Sequence, residues 1–159
     1  MTPSTTPNVL IEDLLARFPG SVAINAWGET SVFYNPARQL PRGVYFATVK
    51  EKDGANDRAS QLDRPNVFRY NVGTNKALFL ARFGPPPPRP AKGCVIEGGW
   101  DFTRLDTLTP HPVYGWMGWI SVLNPSAETL TAMEEMIEAA FLKARMSFEH
   151  KMRPVGSGA

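Results

Sequence analysis

Chemistry-bearing side chains are scarce in this sequence. Its 159 residues hold one cysteine, Cys94, and two histidines, His111 and His150. A single thiol excludes an intrachain disulfide, and one Cys with two His falls short of the four ligands of a structural zinc site. No metal and no cofactor is therefore expected. Excess charge is scarce too: 17 basic residues against 15 acidic leave a net +2. A dedicated phosphate binder usually concentrates its charge in a basic stripe. No apolar run approaches the roughly 18 residues that span a bilayer, and Met1 to Asn8 lacks the basic-then-apolar pattern of a secretory leader. No membrane partner and a cytoplasmic location are the expectation. Also missing are Gly-x-Ser-x-Gly, Gly-x-Gly-x-x-Gly, a Walker-type loop and any carboxylate cluster at metal spacing. Those absences speak against well-known enzyme classes. They leave room for a proton-transfer enzyme, which needs only one base in an apolar pocket.

Aromatic side chains, by contrast, are plentiful: nine Phe, four Trp and four Tyr. Each can remove roughly 150–250 Å² from water, enough for a handful to anchor a small core. Length allows one such core, so residues 1–159 read as a single domain, ordered over about 8–150, with a disordered tail over 154–159. Thr6 as cap, Pro7 at the first helical position and an apolar stripe through Val9, Leu10 and Leu14 predict an opening helix, ended by Phe18-Pro19-Gly20. Strands are predicted over Ser21–Ala26, Thr30–Tyr34, Val44–Lys50 and Val67–Val72. Thr74 is expected to cap an inserted helix over Asn75–Phe83, with Gly84 at its end. The prolines from Pro85 to Pro90 give a stiff extended connector, which could also serve as a docking motif. Val113–Leu123 reads as the most strand-like segment of all. Asn124 and Pro125 open a long last helix with Met133, Ile137, Phe141 and Phe148 at helical spacing. This pattern is that of an α+β fold: an antiparallel sheet packed by N- and C-terminal helices, with a short inserted helix.

Two segments mix polar groups with aromatics. In Asp63 to Gly73, Arg69 and Asn71 lie two apart, so both project from one strand face. There they can bind a carboxylate, a phosphate or a polar ring, or Arg69 can instead pair with Asp63 or Asp57. In the second segment His111 is held rigidly between Pro110 and Pro112, with Tyr114 and Trp116 expected on a shared strand face beyond it. His111 is the candidate catalytic base. Asp63, Arg69, Asn71, Tyr114 and Trp116 are the candidate ligand contacts.

Leu62 to Gly73 and His111 to Ser126 resemble an uncharacterised bacterial family, a domain of unknown function. More distantly, Phe18-Pro19-Gly20 and an aromatic strand leading into a final helix resemble the MmcQ/YjbR-like "double wing" proteins. That resemblance implies a YjbR/CyaY-like two-layer sandwich, and those relatives have been proposed to bind DNA. The first functional expectation is a small-molecule-binding domain, with proton transfer by His111 in an aromatic pocket. The alternative is a nucleic-acid or protein interaction module using Lys143, Arg145, Lys151 and Arg153.

Overall fold

The computed structural model describes residues 5–153; the predicted tail over 154–159 lies outside them. Helix α1 (Pro7–Arg17) begins at Thr6, whose hydroxyl accepts from Val9 N, and its Leu10 and Leu14 face inward. Strands β1 (Ser21–Ala26), β2 (Glu29–Tyr34), β3 (Val44–Lys50) and β4 (Arg69–Gly73) follow. Then come helix α2 (Lys76–Phe83), the two-residue strand β5 (Thr109–Pro110), β6 (Trp119–Leu123) and helix α3 (Ala127–Lys151). The six strands form one antiparallel sheet in the order β1-β2-β3-β4-β6-β5. The α+β arrangement expected from the sequence is the arrangement found.

Helices α1 and α3 cover one face of the sheet. The last helix presents Met133, Ile137, Ala140, Phe141, Ala144 and Phe148 to that face, the spacing of a single helical stripe. A β-bulge shapes the packing. Val32 pairs with Ala47 and Phe33 with Tyr45, so Phe46 is the extra residue on β3. It turns under the helices, 5.9 Å from Phe18 and 5.7 Å from Phe141, while Tyr45 faces the other way.

Three expectations need correction. The inserted helix is capped by Asn75, whose Oδ1 accepts from Leu78 N; the buried Thr74 hydroxyl has no partner among the described residues. The closing helix is capped by Ser126 rather than Asn124. Asn124 sits at φ 44, and its side chain instead ties Phe68 N and the Asn66 carbonyl. Most consequentially, 113–118 is not strand. A 3-10 turn spans Gly115–Met117, and Gly118 at φ 87 reverses the chain before β6 begins at Trp119. Tyr114 and Trp116 therefore do not share a strand face. The cause is His111, whose Nδ1 accepts from both Val113 N and Tyr114 N at 3.1 and 3.0 Å and folds the segment back on itself.

Gly73 gives the sheet's second face its shape. A Cβ there would lie 2.6 Å from Trp119 Cε2, so only glycine lets the indole lie across β4 to reach Tyr45, 5.1 Å away. Gly73→Ala is expected to cost about 1–3 kcal/mol, the usual range for overpacking. Chemical denaturation followed by tryptophan fluorescence measures it; an unchanged midpoint would mean that the ring has room to move aside.

Candidate functional site

The two halves of β4 face different environments. Tyr70 and Val72 point at the helices, whereas Arg69, Asn71 and Gly73 point at the opposite face. Over that opposite face the loop after β3 folds down and seals a polar network. Arg69 is 1% exposed. Its guanidinium makes a bidentate ion pair with Asp57, Nη1 donates to Ser60 Oγ at 3.0 Å, and Nε donates to Asn71 Oδ1 at 2.8 Å. Asn71 in turn donates to Thr48 Oγ1 at 2.9 Å and accepts from Ser121 Oγ at 2.7 Å. The amide is thereby used on both sides, as a buried amide must be to offset its desolvation.

His111 closes this network. Its Nε2 lies 3.3 Å from Arg69 Nη2. Because Nδ1 already accepts two backbone N–H groups, the proton of the neutral ring is assigned to Nε2. A further proton would have to go on Nδ1, displacing both amides and adding charge beside the Arg69 guanidinium. Burial first, then the charges of Arg69 and Lys50, hold the His111 pKa well below its ordinary value. The ring is therefore neutral, with Nδ1 taken up by two amides and the Nε2 proton facing the guanidinium.

Arg69, Asn71 and His111 thus meet in space, with the Tyr114 ring 5.0 Å from the imidazole. Asp63 and Trp116 stand apart from them. Asp63 accepts from Asp53 N and helps close the 53–63 loop, and the carboxylate that pairs with Arg69 is Asp57. Trp116 lies under the Arg89 guanidinium, 4.9 Å from its ring centre, and fastens the polyproline connector. A cleft that Arg69 lines, between Ser60, Phe102 and Ser121, is too narrow for a water molecule.

Open space occurs elsewhere. A cavity of about 460 Å³ lies beside Thr6, Arg64, Asn66 and Asn124. Two of its polar side chains are already engaged: Arg64 donates to the carbonyls of Ser60, Gln61 and Thr103, and Asn124 bonds the backbone of Asn66 and Phe68. A second cavity, about 330 Å³, lies between α1 and α3. Val9, Leu10, Leu130 and Ile137 make its walls and Tyr70 lies at its floor. Arg17 bridges Asp13 and Glu134 at the rim, at 3.2 and 2.8 Å. Tyr70 is 1% exposed as a residue and lines this cavity; the buried side-chain groups left without a partner among the described residues are Ser21 Oγ and Thr74 Oγ1. Burial, offset in part by Arg17, pushes the Tyr70 pKa up, so the phenol stays a neutral donor. Period-two alternation puts Tyr70 on the face opposite Arg69 and Asn71, but its closeness to Arg17 spans two elements and leaves no local pattern.

The basic residues of α3 do not form one face. Lys143 Nζ approaches the Thr74 carbonyl at 3.5 Å, while Arg145 lies over the Phe141 ring. Among the described residues no group of His, Cys, Asp and Glu could hold a metal ion, and no helix is long and apolar enough to cross a membrane. No curated protein and no solved structure matches the chain. One family model does, over residues 5–153, and the chain belongs to that family, a family of unknown function (DUF6194).

Proposed function

We infer that this domain binds a small molecule in the cavity between α1 and α3. The observation that carries the reading is Tyr70, almost wholly buried yet lining a space walled by apolar side chains of both helices, with Asp13, Arg17 and Glu134 at its rim. A ligand acceptor placed against the Tyr70 hydroxyl gains a hydrogen bond worth about 0.5–1.5 kcal/mol net. Mostly apolar walls with one or two convergent polar groups, in roughly 300–1,000 Å³, are the usual make-up of a ligand pocket. The occupant has an apolar body and one carbonyl or hydroxyl acceptor for Tyr70. The rim carries two carboxylates against one guanidinium, which favours a neutral or cationic head group over an anion.

In this reading the network of Arg69, Asn71 and His111, on the opposite face of the same strand, fixes β4 and with it the Tyr70 ring. The likeness to MmcQ/YjbR-like proteins belongs to the same proposal and rests on layout alone. A cytoplasmic setting agrees with the exposed free thiol of Cys94.

The test is a thermal-shift screen with neutral and cationic metabolites, because a ligand that binds only the native state raises the melting temperature. A hit should bind Tyr70→Phe up to about tenfold more weakly, the worth of one hydrogen bond. Leu130→Trp, which fills the space, should abolish binding while the protein still melts cooperatively. A hit indifferent to both substitutions would place its site elsewhere.

A further inference from the structure

The free edge of the sheet is unguarded. Among the described residues strand β1 pairs only with β2, and its sequence Ser-Val-Ala-Ile-Asn-Ala has no charge and no proline. Natural edge strands are usually blunted by a lysine, a proline, a bulge or a covering loop, because an open row of amides recruits another strand. None of these stands on β1, whose last four residues are all exposed.

Hairpin geometry says which amides face outward. The connection is the two-residue turn Trp27-Gly28, with φ of 51 and 77, a type I′ turn that makes Ala26 and Glu29 the hydrogen-bonded closing pair. Bonding then alternates along an antiparallel ladder, so Ile24 and Val22 also bond to β2. Two contacts agree with this phase: Gly20 O accepts from Asn35 N, and Ser21 N turns away from β2 to donate to Phe18 O. What faces solvent is both backbone groups of Ala23 and of Asn25, and the carbonyl of Ser21.

We propose that a second copy of this chain pairs with β1 across a two-fold axis at Ala23, joining two sheets into one of twelve strands. The edge is its own complement in that register. Ala23 exchanges two hydrogen bonds with Ala23 of the second copy, and each Asn25 N–H donates to the opposite Ser21 carbonyl. On the face away from the helices, Val22 stands opposite Ile24 of the other copy, a β-branched pair at the closer, non-hydrogen-bonded spacing. Ile24 is 37% exposed in one copy. On that face it is followed by the half-buried Phe33 and the exposed Tyr45, whose rings stand 5.9 Å apart, and by Trp119, which is buried. Pairing makes the two rows continuous. It also explains Trp27, which is 97% exposed at the hairpin tip: the same register carries it over Pro19 of the other copy.

Sedimentation equilibrium across a concentration series tests the assembly. Wild type should dimerise, and Ile24→Lys, a change at an exposed position, should raise the dimer Kd more than about tenfold because two charges enter the interface. The register has its own test in a Cys94→Ser background. Ala23→Cys places two thiols on a hydrogen-bonded pair with Cα atoms about 5.5 Å apart, within disulfide range, and should form a covalent dimer on mild oxidation. Asn25→Cys should not. A monomer at every concentration, or a dimer that Ile24→Lys leaves intact, overturns the proposal. So does equal crosslinking at both positions.

Discussion

Asp57→Ala is expected to lower the unfolding free energy by about 3–5 kcal/mol, the usual cost of removing one partner of a buried ion pair. Against a typical total of about 5–15 kcal/mol, that brings the domain close to unfolding at room temperature. The loss comes from what remains. Arg69 would keep its charge in a site where it is 1% exposed, with only Ser60 Oγ and Asn71 Oδ1 still accepting from it. The pair itself is worth far less than this, because bringing both charges out of water costs much of what their attraction returns. A double variant, Arg69→Met with Asp57→Leu, separates the two effects. It removes both charges and fills the volume with apolar atoms, while Asn71 retains its bonds to Thr48 and Ser121. It should recover most of the loss. Urea unfolding followed by circular dichroism gives both numbers. A cost below about 1 kcal/mol for Asp57→Ala would mean that water reaches the guanidinium once the carboxylate is gone.

How much of this arrangement is legible in the sequence depends on how local its causes are. Strands β1 to β3 are read within a residue because period-two alternation and the Trp27-Gly28 and Asn35-Pro36 breaks are local signals. The projection of Arg69 and Asn71 from one face follows from the same periodicity. Their partners follow only in part. The sequence offers Asp63 and Asp57 to Arg69 without choosing between them, and Asp57, twelve residues upstream, is the one that pairs; Ser60 and Thr48 come from other segments. The 113–118 segment is misread for a physical reason: Tyr114, Trp116 and Trp119 have the aromatic content of a central strand. A single imidazole accepting two backbone N–H groups outweighs that propensity. Tyr70 is a different case. Alternation places it on the face opposite Arg69 and Asn71, where it lies, but nothing in it says that a cavity between two helices reaches the ring.

Acidification should destabilise the domain through His111, and the sign follows from its two environments. In the unfolded chain the imidazole titrates near 6.5. In the folded chain burial, then Arg69 and Lys50, hold it well below that value. Between the two, the unfolded state carries a proton that the folded state refuses, so stability falls as pH falls. The contribution is complete above about pH 6.5 and is lost at up to about 1.4 kcal/mol per pH unit as the pH drops toward the folded pKa. Measuring urea midpoints from pH 7.5 to 5.0 keeps most carboxylate titration out of the window. His111→Asn is the informative comparison, since an amide oxygen can take over from Nδ1 as acceptor for Val113 N and Tyr114 N without titrating. Its midpoints should stay level where those of wild type decline. Identical slopes in the two proteins would assign the pH dependence to other groups. The same linkage reaches the aromatic face: a proton forced onto Nδ1 displaces the two amides that fold the 113–118 turn. Trp119, whose ring stands 6.4 Å from the imidazole, should then report the loosening in its fluorescence before the sheet unfolds.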